Sequence, residues 1–397
     1  MFIKQYYDNR KKIYFLTSDG ILDNLGQSQI IPYLDGLSKK YKLQIISFEK
    51  KNNIKNKKFY NEVFDELKKK NISWKYFKYY DNKILKLFEY LYSITYINLS
   101  IIKNKNLIIH LRSYSAGIML FPSIYILKLN IIFDMRGLWI HERVDRNYLN
   151  TSNYYYKFLL YLEKKLLDKS KIIITLTEEA KIFLKHKFQS QTNNKKIVVL
   201  RTYTKTKKFG FNSNNKNITF CYLGSDSNAY NLNKTLNAMV EISKNLNNVK
   251  FKFLINNNNK KFINTIQKSH LADPFYSIIQ AKHHEVPDIL RFCDIGIFYA
   301  NENFSIKASF PTKIAEYIAS GMPILCNNFN NDVSNIVLKN NLGVISNFQK
   351  DNIIADTSKV IRLLTAQNRV RIRNYAKKEL DISIGINNYE KIYNSFF

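Results

Sequence analysis

The sequence predicts an α/β protein of two doubly wound domains, and three observations carry that prediction. Residues 13–48 read as a buried strand, a glycine-bearing loop, an amphipathic helix and a second buried strand, the opening of a parallel sheet. The same order restarts at residues 218–255, after a polar, basic stretch without periodicity at 201–217. Residues 308–326, ASFPTKIAEYIASGMPILC, then read as loop, short helix, tight turn and strand. A chain of 397 residues is long enough for two such domains. The expected boundaries are 1–200, a linker at 201–217, 218–380, and a separate C-terminal helix at 381–397.

Composition sets the class. An apolar fraction of 45% and an aromatic fraction of 14% exclude a disordered chain. The formal net charge is +31, with +19 in the first 200 residues and +12 in the rest, so the excess is no tail. A bias toward Lys, Asn, Ile and Tyr along the whole chain accounts for most of it. Attraction to an anionic membrane surface is an expected consequence, through the apolar and basic residues of 59–99. Cys221, Cys293 and Cys326 stand far apart in apolar contexts, which fits reduced buried thiols rather than a disulfide framework or a zinc site. The apolar runs at 90–102 and 116–127 are too short to cross a bilayer, and no signal peptide is expected near Met1. The expected location is cytoplasmic, at the inner face of the plasma membrane.

In the first domain, 13–17 is a buried strand, and Gly20 and Gly26 punctuate the loop after it. A helix over 29–39 turns Ile30, Ile31, Leu34 and Leu37 inward, and 43–48 is the second strand. A lysine-rich helix at 59–70, an extended run at 76–80, a helix at 85–99 and a strand at 107–110 follow. Arg112 sits just after that strand, at a carboxyl edge. Residues 131–137 form another strand end, where Asp134, Arg136 and Gly137 fall together and Glu142 comes soon after. Charges around a glycine at a strand end are where α/β folds place their chemistry. A helix at 154–167 carries Glu163, 172–176 is a strand, Thr177 caps a helix at 180–187, and 197–200 is the last strand of the domain.

The second domain begins with a strand at 218–223, the turn Gly224-Ser225 and a helix near 232–246. Strands at 249–255, 276–279 and 295–299 alternate with helices. His283 and His284 read as non-ligands, because adjacent side chains point apart on a helix or strand. In 308–326, Pro311 suits a helix start, Ile314 and Ile318 lie four apart, Gly321 stops the helix and Pro323 forbids its continuation. Lys313 does not fit a plain scaffold helix. A cation in the first turn opposes the positive end of the helix dipole, and becomes sensible when an anion is held there. Glu316, three residues on, shares its face.

Four stretches, in order along the chain, resemble the retaining glycosyltransferases of family 4, of the bacterial polysaccharide type called glycosyl transferase group 1. These have the GT-B fold, two Rossmann-like domains facing across a cleft. The stretches are D-x-x-G-Q-S-Q at 23–29, D-x-R-G-x-x-x-x-E at 134–142, Gly224-Ser225, and S-F-P-T-K-x-x-E-Y-x-A-x-G-x-P at 309–323. The resemblance implies transfer of a sugar, with retention, from a UDP- or GDP-linked donor to a glycan or lipid-linked glycan in cell-surface polysaccharide synthesis, such as lipopolysaccharide or capsule. It implies no metal, no other cofactor and no nucleic-acid partner. It implies a donor site of Gly26, Gln27, Gly224, Ser225, Val286, Phe310, Pro311, Thr312, Lys313 and Glu316, with Glu316 on the ribose. Lys313, Arg136 and Asp134 would be catalytic; Ser28, Arg112 and Glu142 would face the acceptor. The last helix is expected to cross back to the first domain. One departure stands out: the wider family has a second glutamate eight residues before the ribose-binding one, and here that position is Ala308.

Two other classes use the same features. A nucleotide-sugar epimerase shares the fold and works through carboxylates and a histidine in the cleft. A non-catalytic polyanion-binding protein would use the +31 charge alone.

Overall fold

The structure is a computed structural model that describes residues 10–104, 107–121, 123–212, 216–224, 229–255 and 259–397. Seven strands form the first sheet: β1 Lys12–Thr17, β2 Lys42–Lys50, β3 Ser73–Tyr79, β4 Ile108–Arg112, β5 Asn130–Asp134, β6 Ile172–Thr175 and β7 Lys196–Val199. Their order is β3-β2-β1-β4-β5-β6-β7, with every pairing parallel. Six form the second: β8 Ile218–Leu223, β9 Val249–Ile255, β10 Tyr276–Gln280, β11 Ile295–Phe298, β12 Ile324–Cys326 and β13 Gly343–Ile345. Their order is β10-β9-β8-β11-β12-β13, again parallel. The order reverses between β1 and β4 and between β8 and β11, so each domain has its crevice at those carboxyl ends. This is the GT-B arrangement the sequence leads one to expect.

Strand period fixes the layers. In β1, Ile13 and Phe15 point into one core, Tyr14 and Leu16 into the other. Both faces are buried because parallel crossovers cover both with helices. The helices Lys83–Lys103 and Tyr154–Lys169 cover one face. Ile31–Ser38, Lys57–Lys69 and the last helix, Ile382–Asn394, cover the other, where Tyr389, Ile392 and Tyr393 are buried. The C-terminal helix completes the first core.

Two local readings change. The stretch Gly26-Gln27-Ser28-Gln29 is not loop but part of a short helix, Asn24–Gln29, followed by a break at Ile30. A Cβ on Gly26 would lie 2.3 Å from the Gly20 carbonyl oxygen, so this glycine lets the short helix pack onto the preceding loop. Pro311 is the N-cap of the helix Thr312–Ala319 rather than a residue of its first turn. The linker is tied down. Thr204 N donates to Leu380 O at 3.0 Å, Ile382 N donates to Thr204 O at 2.9 Å, and the Thr206 hydroxyl donates to the Asp381 carboxylate. The outgoing and returning crossovers thus run side by side.

One rim of the cleft is closed by direct contact. Phe304 packs between His141 and Phe183 of the first domain, with ring centroids 5.1 Å from each. Ser305 N donates to the Asp145 carboxylate at 2.8 Å. Two helices then cap each other across the gap. Asp332 accepts from Glu178 N and Glu179 N at 3.0 and 3.1 Å, and Glu179 accepts from Asn331 N at 2.9 Å. Each carboxylate occupies the positive end of the other domain's helix.

Candidate functional site

The site is built on the turn from β11 to β12. Its helix, Thr312–Ala319, is buried from Lys313 onward, with no side chain capping its first turn. Tyr317 fixes its distance from β8: its hydroxyl accepts from Leu223 N at 2.7 Å and donates to Cys221 O at 3.0 Å. A Cβ at Gly296 would lie 2.4 Å from the Tyr317 ring, so only glycine lets that ring cross β11. Gly321, at φ +64°, ends the helix.

Lys313 is 6% exposed, and its Nζ has no hydrogen-bond partner among the described residues. It lies 3.6 Å from the centre of the Tyr230 ring, 4.7 Å from Tyr222 and 5.0 Å from Phe298. Above it sits Gly224, at φ +150°, where an added Cβ would lie 3.1 Å from that Nζ. Burial pushes the lysine down to about 7, and only Cys221 and Glu316 pull the other way. Glu316 is 4% exposed, and burial raises its carboxyl to about 7 against the pull of Lys313. A cation and an acid, both under-solvated, thus flank a glycine at the carboxyl end of β8. An oxyanion over Gly224 would meet the ammonium and the free N–H groups of the first helical turn.

His283, set aside from sequence, comes back here. Its Nδ1 is 3.8 Å from Glu316 Oε1. Burial, then Lys208, His284 and Lys205, lower its basicity, so it faces the acid as a neutral ring. It lines a groove between the domains together with Gln27, Ser28, Lys205, Lys208 and Lys282. A second, polar pocket lies between the domains where the chain approaches Ser309, and takes Arg136, Glu142, Asp145, Arg146, Asn301 and Asn303 into its wall. His283 carries the groove's wall to within reach of Glu316, and the pocket includes Ser309, just before Pro311.

The remaining expected residues fall into two groups. Gln27, Ser28, Arg136 and Glu142 line these spaces; Glu142 is paired with Arg146. Arg136 is held at φ +57°, and Gly137 follows at φ +142°. Asp134 and Arg112 do not line the pocket or the groove. Asp134 is fully buried and accepts from the Tyr389 hydroxyl at 2.8 Å, with His110 Nε2 at 3.5 Å and Arg112 at 3.9 Å. Burial alone would raise its carboxyl, but the Arg136 guanidinium, the nearby His110 ring and Arg112 hold it down at about 2. It anchors the loop behind Arg136. Val286 and Phe310 are core side chains that offer the cleft only backbone, and the Phe310 carbonyl already accepts from Thr202. Ser225 lies outside the described residues.

Ala308 has a physical explanation. It is 1% exposed and belongs to the core of the first domain, so a carboxylate at this position would be buried among apolar groups. The carboxylates nearest the pocket come instead from the other side of the cleft, Glu142 and Asp145. Sequence reasoning also missed Glu49. Its carboxylate accepts from Ile21 N at 2.6 Å and Leu22 N at 3.1 Å and shapes the first loop. An acid at the end of an otherwise apolar β2 was its one visible signal. Among the described residues, no three His, Cys, Asp or Glu side chains converge as metal ligands do.

Residues 204–379 match the family described as Glycosyl transferases group 1. No sequence among curated proteins matches the chain. Among solved structures, sucrose-phosphate synthase from Thermosynechococcus elongatus superposes with a TM-score of 0.72 at 9% identity, over 98% of this chain and 99% of that one. An E. coli structure titled as trehalose-6-phosphate bound with UDP-2-fluoro glucose gives 0.65 at 10%, over 96% and 98%. WaaG, a glycosyltransferase involved in lipopolysaccharide biosynthesis, gives 0.62 at 12%, over 92% and 95%. At these identities the likeness is one of fold.

Proposed function

We propose that this chain, a GT-B fold whose residues 204–379 match the group 1 glycosyl transferases, moves a sugar with retention from a nucleoside diphosphate donor to a glycan or lipid-linked glycan. The observation that carries the reading is Lys313: a buried ammonium without a hydrogen-bond partner among the described residues, beneath a glycine at a helix N-terminus. The diphosphate lies over Gly224. Its charge grows as the sugar bond breaks, and Lys313 with the helix N–H groups stabilises that growth without a metal. Glu316 binds the ribose hydroxyls, with the neutral His283 ring beside it. The transferred sugar points toward the pocket of Arg136, Glu142 and Asp145, and the acceptor enters from the first domain. The leaving phosphate takes the acceptor proton. UDP and GDP are the proposed leaving groups, and cell-surface polysaccharide made at the cytoplasmic face of the membrane is the proposed product.

A thermal-shift panel of UDP, GDP, ADP and CMP tests the site, because a ligand of the native state raises its melting temperature. The expected result is a shift with UDP or GDP. Radiolabelled UDP and GDP sugars with a lipid extract then test the reaction. New labelled glycan supports transfer. An altered free nucleotide sugar would make the chain an epimerase, and no shift with any nucleotide would leave the transferase reading without its site.

A further inference from the structure

The helix Lys83–Lys103 is apolar on both sides: Ile97 and Ile101 are buried in the core, with Tyr90 and Ile94 packed against it. Its solvent side carries Ile84, Phe88, Leu91, Leu99 and Ile102, spaced as one helical stripe with Thr95 as its polar member. Phe88 and Ile84 are each 66% exposed. An ordinary surface helix turns such residues inward and charges outward.

The stripe is part of a wider face. Asn98 ties this helix to the next turn by donating to Met119 O at 3.1 Å and accepting from Ser123 N at 3.1 Å. That turn exposes Tyr125 and Ile126, the latter at 76%. The Tyr125 hydroxyl donates to Tyr161 at 3.2 Å, on the helix Tyr154–Lys169, where Tyr154 and Phe158 are also exposed. All three elements cover the same side of the first sheet. An apolar surface of this extent marks an interaction site.

Its charges identify the partner. Lys157 lies over Tyr154, and Lys165 over both Tyr125 and Tyr161. Lys83, Lys86 and Lys103 flank the stripe, and Lys164 and Lys169 follow on the second helix. Of the three acids on these helices, Glu163 is buried against the Tyr114 hydroxyl, Glu89 accepts from Lys78 N at 2.7 Å and Asp168 lies 3.9 Å from Lys169, so the lysines are in excess. Two copies meeting here would press like charges together. A bilayer with anionic headgroups takes up both features, since aromatic rings settle at the headgroup level while lysines reach its phosphates. No helix among the described residues is long and apolar enough to cross a membrane.

We infer that the face made by Lys83–Lys103, residues 123–126 and Tyr154–Lys169 docks the chain onto an anionic lipid surface. Placement follows from topology. Both long helices lead from the carboxyl edge of the sheet back to its amino edge, so Ile84, Phe88 and Tyr154 lie at the edge that faces the cleft. A docked molecule holds its cleft mouth against the headgroups. The helix Lys57–Lys69, which the sequence also suggested for this surface, takes no part, because it packs on the opposite face of the sheet. The inference stands whether or not the chain transfers sugars.

The test is co-sedimentation of the full chain with vesicles of phosphatidylcholine, alone or mixed with phosphatidylglycerol. Binding is expected to the mixed vesicles, to weaken with salt, and to fall about tenfold in the triple variant I84Q/F88Q/L91Q, since three buried apolar side chains are lost. That variant should melt no lower than the parent, because the three residues make little contact with the core. Lys157→Gln with Lys165→Gln should lower binding to the mixed vesicles only. Undiminished binding of the triple variant overturns the inference. So does equal binding to both vesicle types, and so does a dimer that the triple variant dissociates while neither form binds vesicles.

Discussion

Replacing Lys313 by Met tests the anion site directly. The two side chains have similar length, so the aromatic box stays filled. A lysine free to charge near 10.5 but held at about 7 in the folded chain costs folding on the order of 4 kcal/mol at neutral pH, as an upper bound. The empty variant should therefore be more stable than the parent, by about 2 kcal/mol once local relaxation is allowed for. The sign in pH is fixed. Between about 7 and 10.5 the unfolded chain binds the lysine proton and the folded chain does not, so parental stability rises with pH across that window. The variant lacks that rise.

Ligand binding must show the opposite trend. A diphosphate wants the ammonium, so the parent takes up a proton on binding and its affinity for UDP or GDP falls as pH rises above about 7. In the variant that dependence disappears, and the affinity drops about 10- to 100-fold, the worth of a charge-assisted hydrogen bond. Affinity for the bare nucleoside stays. Urea unfolding at several pH values and calorimetry with nucleoside and nucleoside diphosphate supply all four numbers. A variant less stable than the parent, with unchanged preference for diphosphate, would make Lys313 a structural residue and refute the argument.

The other predictions concern its neighbours. Glu316→Gln should weaken nucleoside binding by about 1.5–3 kcal/mol in calorimetry while the melting temperature holds or rises, because the acid is disfavoured by burial. Asp134→Asn should lower stability by about 3–5 kcal/mol, since Arg112 and Arg136 lose their buried counter-charge. In the parent that contribution is present above pH 3.8 and lost as pH falls toward about 2, so the variant should lack this part of the acid transition. Tyr389→Phe should cost about 1–3 kcal/mol by chemical denaturation, because the hydroxyl that donates to the buried Asp134 carboxylate is lost. Glu179→Ala and Asp332→Ala should couple in a double-mutant cycle and enlarge the radius of gyration in solution scattering, because each removes one half of the cap across the cleft. Additive effects with an unchanged radius would show that the capping does not hold the rim shut.

The periodic parts of the fold were legible. The strands β1, β2, β8 and β9 are near-continuous apolar runs, and Gly224 and Gly321 mark turns at positive φ that few other residues accept. The Lys313–Glu316 pair was legible because a cation in a first helical turn contradicts local electrostatics. Contacts between segments far apart in sequence were not. Nothing near Asp134 shows that Tyr389, 255 residues later, donates to it and thereby turns an expected catalytic carboxylate into an anchor. His283 was dismissed on the geometry of adjacent residues, which excludes a shared metal but says nothing of one ring meeting an acid from another loop. The helical state of Asn24–Gln29 was hidden because its glycine reads as a loop signal, while the close approach to Gly20 that requires it is tertiary.

The distribution of local cost points the same way as the motif. Behind the cleft, Asp294 with Arg369 at 2.8 Å pins the turn at Gly321, and Asp134 accepts from Tyr389 with Arg112 at 3.9 Å, although its other oxygen has no hydrogen-bond partner among the described residues. Further unfavourable arrangements lie around it. Lys313 lacks a hydrogen-bond partner among the described residues, Glu316 is an acid raised by burial, Arg136 sits at φ +57°, and Gly224 is held where side chains are strained. A scaffold under selection for stability alone would not gather these around one cleft. Each is relieved by the same kind of guest: an anion for the lysine and the free N–H groups, hydroxyls for the acid, and a polar group for the arginine. A nucleoside diphosphate sugar carries all three in one molecule.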